Sequence, residues 1–542
     1  MAASPETGTL SRSVGRVCLG LGESFLKRLR VTIIDLVSNK PTGRLYARIM
    51  NPNFASIMPQ TVAVWCQELG HDVRFICYTG FEDFSAELMD DTDVLFISAF
   101  TLSAQLAYAI SSLYRRQGAV TVLGGPHARC YPEDAVHYFD YVLGLTDKSV
   151  IDDVLRDSGP HRPTGLQLGA TKQPATLPGV KERWQFVEAT IAKAPLLKIV
   201  PMIGSTGCPY TCSFCIDSVV KYQTLGFDQM REDLAFLLTK LKRPRVAWHD
   251  PNFGVRFDDY LATIERAVPA GRMDFIAESS LSLLSESRLR RLRKNGFKAM
   301  LPGIESWYSL GNKSKSGTNT GMEKVLQVSD HVNMILRYIP FVQTNFVVGL
   351  DCDEGPEPFD LTKRFLDLTP GAYPALSLFT AYGRAAPLNL DLQRAGRVLP
   401  VPFHLLNSTR AMNIRPKNYA WPDLFRHVEG LISHAHSWPS IRRRFGAASG
   451  VIPKWFGALR AGTSKKTHYY GQIHDLLLSD RPFRAYFEGE TDALPAFFES
   501  RIRQDLGPFW QALPAGALRH DPYAYLKSSR PAEKSLASVA VG

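Results

Sequence analysis

Long apolar segments are missing from this chain of 542 residues. No run approaches the roughly eighteen consecutive apolar residues that a membrane-spanning helix needs, so the sequence predicts no membrane partner. The opening 30 residues carry charges and glycines but no apolar segment ahead of a cleavage site, so no secretory signal is predicted. A cytoplasmic location is therefore expected.

Cysteine is also scarce, with eight residues in the whole chain. Their scattered, uneven spacing favours a reducing compartment over a disulfide-stabilised secreted fold. Three of the eight nevertheless fall within one short stretch, at Cys208, Cys212 and Cys215. This concentration marks the stretch as a candidate site.

A strong charge imbalance is lacking too, since 63 Lys and Arg residues against 52 Asp and Glu give a net charge of +11. Over a chain of this length the excess is mild and the basic clusters are short, so a nucleic-acid partner is not favoured. A solvated basic surface, an anionic substrate or a reductase partner accounts for the excess equally well.

The three clustered cysteines have the spacing C-x3-C-x2-C. Three thiolates on one loop can hold three corners of an iron-sulfur cubane and leave the fourth iron open to a substrate. Structural zinc is an alternative, but it needs four ligands, and no fourth Cys or His lies close by in the sequence. A disulfide pair with a spare thiol is the other alternative.

Residues 30–150 alternate short apolar runs with amphipathic stretches, which predicts a Rossmann-like, doubly wound parallel sheet. Ligands of such sheets bind outside the carboxyl ends of the strands. Two of the predicted strand ends, Ser98 to Thr101 and Gly124 to His127, are therefore candidate ligand contacts. The glycine pair allows a bulky ligand to approach the backbone, although a tight turn would use the same residues.

Beyond a predicted linker at 151–195, residues 196–395 again alternate strand and helix patterns, and six such units predict a partial barrel. Residues 1–29 show little pattern and are expected to be a loose N-terminal extension. Residues 396–542 are rich in aromatics and predict a mostly helical C-terminal domain that caps the barrel and excludes water. A plain packing domain with aromatic core residues is the alternative.

The cysteine spacing, with Phe214 directly before the third cysteine, resembles the signature of the radical S-adenosylmethionine (SAM) superfamily. Together with the Rossmann-like domain ahead of it, the chain from about residue 30 to about residue 395 resembles the cobalamin-dependent radical SAM family. The resemblance implies a 4Fe-4S cluster held by Cys208, Cys212 and Cys215, with SAM chelating the fourth iron. It also implies that one electron cleaves SAM to methionine and a 5'-deoxyadenosyl radical.

The same resemblance implies further site residues. The expected SAM contacts are Phe214, Asp250, Asn252, Glu278, Gly303, Glu305 and Gly349. The expected cobalamin contacts are Ser98, Thr101, Gly124, Gly125, Pro126 and His127. A carboxylate at a strand end could instead cap the next helix. For Glu278, helix capping and SAM contact explain the position equally well.

One departure from other cobalamin proteins follows the first strand. The position where they carry a cobalt-ligating histidine lies within Asp35 to Lys40, which contains none. This implies base-off cobalamin with a weak or absent lower ligand. The alternative is a domain that has lost the cofactor and persists as scaffold.

The resemblance implies an enzyme that methylates an unactivated carbon of a small-molecule or natural-product substrate through methylcobalamin. Rearrangement, cyclisation or oxidation without methyl transfer, and a non-catalytic cobalamin- or SAM-binding module, are the alternatives. An electron donor such as flavodoxin or ferredoxin is expected. No acid-base catalytic residue is predicted, and Cys352 is interpreted as a packed thiol, with hydrogen-atom donation as the alternative.

Overall fold

The computed structural model describes residues 28–42, 55–88, 91–159, 161, 163–194, 197–308 and 318–527. The predicted N-terminal extension at 1–29 lies almost entirely outside the described residues. A few positions of the predicted linker at 151–195 lie outside them as well.

The first half of the described chain forms a six-stranded, wholly parallel sheet in the order β2-β1-β3-β4-β5-β6. Its strands are β1 (Arg30–Leu36), β2 (Asp72–Tyr78), β3 (Val94–Ala99), β4 (Val120–Gly124), β5 (Tyr141–Leu143) and β6 (Leu166–Leu168). Its helices are α1 (Ile57–Glu68), α2 (Phe84–Glu87), α3 (Ala104–Arg116), α4 (Pro126–Cys130), α5 (Pro132–Ala135), α6 (Lys148–Asp157) and α7 (Trp184–Ala192).

Strand β1 shows why the sheet is covered on both faces. Val31 and Ile33 belong to the buried cluster that contains side chains of α1 and α6. Ile34 and Leu36 belong to the cluster that contains side chains of α3. A strand that is apolar on both faces needs helices on both sides, so the predicted doubly wound sheet is confirmed.

The second sheet is a six-stranded, wholly parallel partial barrel in the order β7-β10-β11-β12-β13-β14. Its strands are β7 (Val200–Met202), β10 (Arg245–Trp248), β11 (Asp274–Ser280), β12 (Phe297–Glu305), β13 (Phe341–Val348) and β14 (Tyr373–Leu378). Its connecting helices are α8 (Phe227–Lys240), α9 (Phe257–Ala267), α10 (Glu286–Lys294), α11 (Gly321–Leu336) and α12 (Glu357–Leu368). The predicted six-unit partial barrel is confirmed.

A small antiparallel pair, β8 (Ser205–Thr206) and β9 (Gln223–Thr224), is inserted between β7 and α8. Ser205 pairs with Thr224, and Thr206 pairs with Gln223. The chain between the two strands contains the three clustered cysteines, so the pair closes the base of the cysteine loop.

The chain beyond the barrel is helical, as the aromatic-rich pattern predicts. Its helices are α13 (Pro387–Arg394), α14 (Trp421–His436), α15 (Trp438–Ala447), α16 (Val451–Gly462), α17 (Lys466–Ser479), α18 (Arg481–Glu488), α19 (Ala496–Leu506) and α20 (Ala524–Lys527). One buried apolar cluster runs from Ile34 through Val246 to Leu424 and joins all three parts. Among the helices of the described ranges, none combines the length and the apolar character needed to cross a bilayer.

Candidate functional site

The cysteine loop presents three reduced sulfurs. Cys208 and Cys212 are buried and Cys215 is half-buried, and none of the three forms a disulfide. The amide of Cys215 donates a 3.0 Å hydrogen bond to the carbonyl of Cys212, so the last turn of the loop is tight. Half-buried Phe214 lies within that turn.

Gly207 lets the start of this loop pass close to its end. Its φ is +67°, in the region that favours glycine. A Cβ at this position would lie 2.4 Å from the carbonyl oxygen of Val220 and 2.5 Å from that of Lys221. Any side chain at Gly207 would push the two ends of the loop apart.

The described part of the chain offers no group of three or more His, Cys, Asp or Glu side chains placed to hold a single metal ion. A cubane distributes its protein thiolates over separate irons, so its ligands do not converge on one point. Three cysteines on one loop, none of them in a disulfide, fit a cluster of that kind better than a four-ligand zinc site.

Asp250 fastens the cysteine loop to the barrel. Its carboxylate accepts hydrogen bonds from the Ser205 hydroxyl at 2.6 Å and the Gly204 amide at 3.1 Å, and the Tyr260 hydroxyl donates a third. Burial raises the pKa of Asp250, and these three donors oppose that shift. The carboxylate expected beside SAM is thus directed at the base of the loop.

The neighbouring strand ends are linked in a similar way. The side-chain amide of Asn252 donates to the Ser280 hydroxyl at 2.9 Å, and its oxygen accepts from the Ser280 amide at 3.0 Å. The carbonyl of Glu278 accepts from the Phe253 amide at 2.8 Å, while its side chain is exposed on β11. Asn252 therefore ties the end of β10 to the end of β11.

Gly303 and Glu305 form a strained pair at the end of β12. A Cβ on Gly303 would lie 2.1 Å from Oε1 of Glu305, and Glu305 itself has a φ of +67°. Such a φ is costly for a residue with a side chain and clusters at functional sites. Burial lowers the pKa of nearby Lys324, and the Glu305 carboxylate opposes that shift.

Gly349 directly follows β13 with a φ of +83°. A Cβ there would lie 3.4 Å from Leu424 and 3.5 Å from the sulfur of Met412. The helical C-terminal part therefore packs against this strand end, and a larger residue would be strained by its φ alone.

A cavity of about 380 Å³ lies between the carboxyl ends of the first sheet and the cysteine loop. From the first sheet it is lined by Ser98, Gly124, Gly125 and Pro126. From the loop and the end of β10 it is lined by Thr206, Gly207, Asp217, Val220, His249 and Pro251. The two sequence motifs, more than 80 residues apart, thus share one cavity.

Gly124 and Gly125 at the end of the first sheet's β4 have different surroundings in this cavity. A Cβ on Gly124 would meet no atom within 4 Å, so the cavity is open in front of it. A Cβ on Gly125, whose φ is +87°, would lie 3.0 Å from the Ser98 hydroxyl and from the backbone of Ala99. Ile33, Phe96 and Leu143 line the same cavity and suit a flat aromatic group.

Two residues expected to contact cobalamin, Thr101 and His127, do not line this cavity, and their role remains a prediction. His127 is fully buried, with Nε2 2.6 Å from the hydroxyl of Tyr108, and burial lowers its pKa to about 3. Thr101 is buried against the thiol of Cys130. Helix α4 begins at Pro126 and turns the His127 side chain into the core.

The sequence interpretation missed two side chains that do line it. His249 directly follows β10 and lines the cavity from the barrel side, and burial lowers its pKa to about 4. The Thr206 hydroxyl is buried and finds no hydrogen-bond partner within the described ranges. The position of His249 just before Asp250, at a predicted strand end, was the available signal.

A larger cavity of about 890 Å³ adjoins the first and shares Arg129, Gly144 and Val220 with it. It lies between the segment that follows the cysteine loop and the segment that follows β14, and Lys172, Lys221 and Arg384 line it. Arg129 pairs with Asp217 at 3.5 Å, and Arg384 pairs with Glu133 at 2.7 Å.

No family model matches the chain. It is similar to the bacteriochlorophyllide d C-12(1)-methyltransferase of Chlorobaculum tepidum, with 23% identity over 298 residues, covering 54% of this chain and 64% of that protein. The bacteriochlorophyllide d C-8(2)-methyltransferase of the same organism is 32% identical over 136 residues, covering 23% and 28%. The alignments thus span less than two thirds of these relatives.

Two solved structures share the fold over most of the chain. TsrM, a radical SAM methyltransferase from Kitasatospora setae solved with tryptophan and a SAM analogue, has a TM-score of 0.52 at 13% identity, covering 84% of this chain and 99% of its own. OxsB, a cobalamin-dependent SAM radical enzyme solved with aqua-cobalamin, has a TM-score of 0.51 at 11% identity, covering 90% and 84%. The resemblance to the cobalamin-dependent radical SAM fold is confirmed.

Proposed function

We propose that the chain is a cobalamin-dependent radical SAM enzyme that methylates an unactivated carbon of a small molecule. The observation that carries the proposal is the cavity lined jointly by Gly124 of the first sheet and Gly207 of the cysteine loop. Held by the cysteine loop, the cluster with SAM would supply a hydrogen-abstracting radical, and cobalamin at the first sheet would supply the methyl group. Both groups must lie beside the same substrate carbon, and the closeness of the first sheet's strand ends to the cysteine loop supports that arrangement.

Cys208, Cys212 and Cys215 would hold the cluster. The loop that presents them is closed by the β8-β9 pair and fastened through Asp250. The β8-β9 pair and the hydrogen bonds of Asp250 would hold the base of the loop in place before the cluster binds, because both are contacts within the protein. Asp250 and Asn252 act in this proposal as positioning residues.

Ser98, Gly124, Gly125 and Pro126 would contact cobalamin, with its nucleotide base against the apolar part of the cavity. The segment Asp35 to Lys40 supplies no imidazole to the cobalt, since it contains no histidine. Asp35 accepts a 2.5 Å hydrogen bond from the Ser56 amide and holds the start of α1. Burial raises the pKa of Asp35 to about 6. This use of Asp35 fits base-off cobalamin without a ligand from that loop.

Gly303, Glu305 and Gly349 would contact SAM at the ends of β12 and β13. Glu305 adopts its φ of +67° where the register of β12 against β13 shifts, and such irregular strand ends often carry functional residues, which supports a binding role. Phe214 and Glu278 complete the proposed set.

A small molecule is the substrate class that the cavities favour. The larger cavity, about 890 Å³, falls in the size range of small-ligand sites and opens beside the cofactor cavity. TsrM binds tryptophan, and the Chlorobaculum proteins are named for bacteriochlorophyllide d. We further propose that a flavodoxin or ferredoxin supplies the electron.

The first test is the iron and cobalt content of protein purified without oxygen from cells supplied with iron and cobalamin. About four irons and one cobalt per chain are expected. With SAM and a strong reductant, the same protein should form 5'-deoxyadenosine. Iron without cobalt would remove the methylcobalamin part of the proposal.

Matched cysteine variants sharpen this test. Cys208→Ala should lose the cluster and all 5'-deoxyadenosine formation, whereas Cys352→Ala should keep both. Cys352 lies 3.6 Å from the Ser306 hydroxyl and outside the cysteine loop. A product heavier by one methylene supports methyl transfer, and a product of unchanged mass supports rearrangement. Absence of 5'-deoxyadenosine with an intact cluster would favour a binding module.

A further inference from the structure

Helices α15 and α16 carry an exposed apolar patch at the surface of the C-terminal part. We call it the hairpin patch. Its members and their exposed fractions are Trp438 (75%), Val451 (71%), Ile452 (69%), Trp455 (56%) and Leu459 (43%). Two exposed tryptophans on one helical hairpin are unusual for a surface that faces only water.

The apolar side chains of α16 lie on one side of the helix. At about 100° per residue, Val451, Ile452, Trp455 and Leu459 fall within an arc of about 100°. Gly457 and Ala461 lie on the other side and are buried, because that side packs on the protein. The helix is therefore apolar on the side that no part of the described chain covers.

The hairpin's own sequence carries charge of one sign, and Asp367 of α12 pairs with one of its cations, Arg443, at 2.6 Å. Residues 430–474 contain seven Lys and Arg residues and no Asp or Glu, in a chain whose net charge is +11. Arg442 and Lys465 are exposed and make no ion pair with any described residue. On α16, Lys454 and Arg460 flank the apolar arc on its two sides.

The hairpin lies at the amino-terminal end of the barrel strands. Arg460 donates to the side chain of Gln343 at 2.9 Å, and Phe456 packs on Phe341 with ring centroids 5.4 Å apart. Both partners begin strand β13, whose eight residues span about 26 Å. The patch is thus a strand length away from the end of the barrel that holds the cysteine loop.

We propose that the hairpin patch docks the protein on a lipid surface with anionic headgroups. Tryptophan favours the boundary between headgroups and acyl chains, and an apolar helix side flanked by cations is the pattern of interfacial helices. An acidic reductase would also meet the positive charge. It would need no apolar arc, however, and it would sit a strand length too far from the cluster for fast electron transfer.

The proposal is independent of the cofactors and concerns the full chain in any cofactor state. It replaces the sequence-based expectation of no membrane partner with peripheral binding, which needs no spanning helix. The test is co-sedimentation of the full chain with vesicles of phosphatidylcholine alone and of phosphatidylcholine with phosphatidylglycerol. Binding to the anionic vesicles only, weaker as salt rises, is expected. The tryptophan emission should shift to shorter wavelength on binding.

Two paired sets of variants locate the contact. The double variants Trp455→Ser with Ile452→Ser, and Arg442→Glu with Lys454→Glu, should each weaken vesicle binding about tenfold or more. Leu478→Ser, at a residue 58% exposed outside the patch, and Lys242→Glu with Lys294→Glu should leave it unchanged. The paired lysine changes match the change of charge, and Leu478→Ser tests whether the loss of an exposed apolar side chain outside the hairpin patch affects binding.

Three results would overturn the proposal. The first is no sedimentation with anionic vesicles at low salt. The second is equal binding to zwitterionic vesicles, which would remove the role of the cations. The third is a wild-type dimer that Trp455→Ser with Ile452→Ser converts to monomer, measured by light scattering, because a second copy would then cover the patch.

Discussion

The carboxylate of Asp250, at the end of strand β10, accepts a 2.6 Å hydrogen bond from the hydroxyl of Ser205, three residues before Cys208. Asp250 and Ser205 are 45 residues apart in the sequence. This bond, together with those from Gly204 and Tyr260, couples the cysteine loop to the rigid barrel.

The Asp250→Asn variant tests this coupling. An amide cannot accept from all three donors as a carboxylate does, so the base of the loop should loosen. We expect iron affinity to fall about ten- to hundredfold, as when a supporting partner of a metal ligand is lost. Iron content after reconstitution measures it, with the exposed Asp228→Asn as control. Full iron content with weakened SAM binding would instead support the role predicted from the sequence, in which Asp250 contacts SAM.

Gly124 provides a test of the cobalamin site. Its Cβ would enter open cavity space without clashing, so Gly124→Leu should fold normally and occupy that space. We expect cobalamin affinity to fall about ten- to hundredfold while iron content stays unchanged. Gly430→Leu is the matched control, because a Cβ there also meets nothing within 4 Å. Equal cobalt content in both variants would place cobalamin elsewhere.

The Gly303 and Glu305 pair provides a test of the SAM site. Gly303→Ala should displace the Glu305 carboxylate, whose oxygen lies 2.1 Å from the new Cβ position. We expect SAM affinity to fall about tenfold in Gly303→Ala and similarly in Glu305→Gln. Equilibrium dialysis with cluster-loaded protein measures this, with Gly226→Ala as control. Unchanged affinity in both variants would exclude Glu305 from the SAM site.

His520 gives a pH-dependent prediction. It is buried against Phe403, its ring nitrogens find no hydrogen-bond partner within the described chain, and burial lowers its pKa to about 3. Between pH 6.5 and about 3 the unfolded state binds the proton and the folded state does not. His520 therefore stabilises the fold fully above pH 6.5, and this contribution is lost as the pH falls.

The variant His520→Phe should be insensitive to that loss. We expect its free energy of unfolding to match wild type at pH 8 and to exceed it by about 2 kcal/mol at pH 5, since each pKa unit corresponds to about 1.4 kcal/mol. Comparing the two proteins at each pH removes the contributions of groups that do not interact with His520, and His127→Phe, measured alone and combined with His520→Phe, separates the part that His127 shares with it. Exposed His468→Phe is the control. A constant difference across this pH range would contradict the prediction.

The sequence predicts the fold class well because the relevant patterns are local. Strand β1 reads as apolar on both faces, and such a strand needs cover on both sides. The spacing of Cys208, Cys212 and Cys215 likewise identifies the cysteine loop without any tertiary contact. The glycine pair at 124 and 125 marks a strand end for the same reason.

Other features could not be predicted because they depend on which way a side chain turns. Asp250 was expected beside SAM, yet its partners lie in the preceding loop and in α9. His127 was expected at cobalamin, yet the turn of α4 directs it into the core beside Tyr108. His249 lines the cavity without belonging to any motif.

By itself, therefore, the sequence determined two parallel sheets, a cysteine loop and a glycine-marked strand end. Each follows from hydrophobic periodicity or from residue spacing over a few positions. Only the tertiary structure decided that the strand ends carrying Gly124 and Gly207 share one cavity, and which polar side chains enter it. That outcome depends on packing between segments far apart in the chain, where burial and hydrogen-bond partners fix the direction of each side chain.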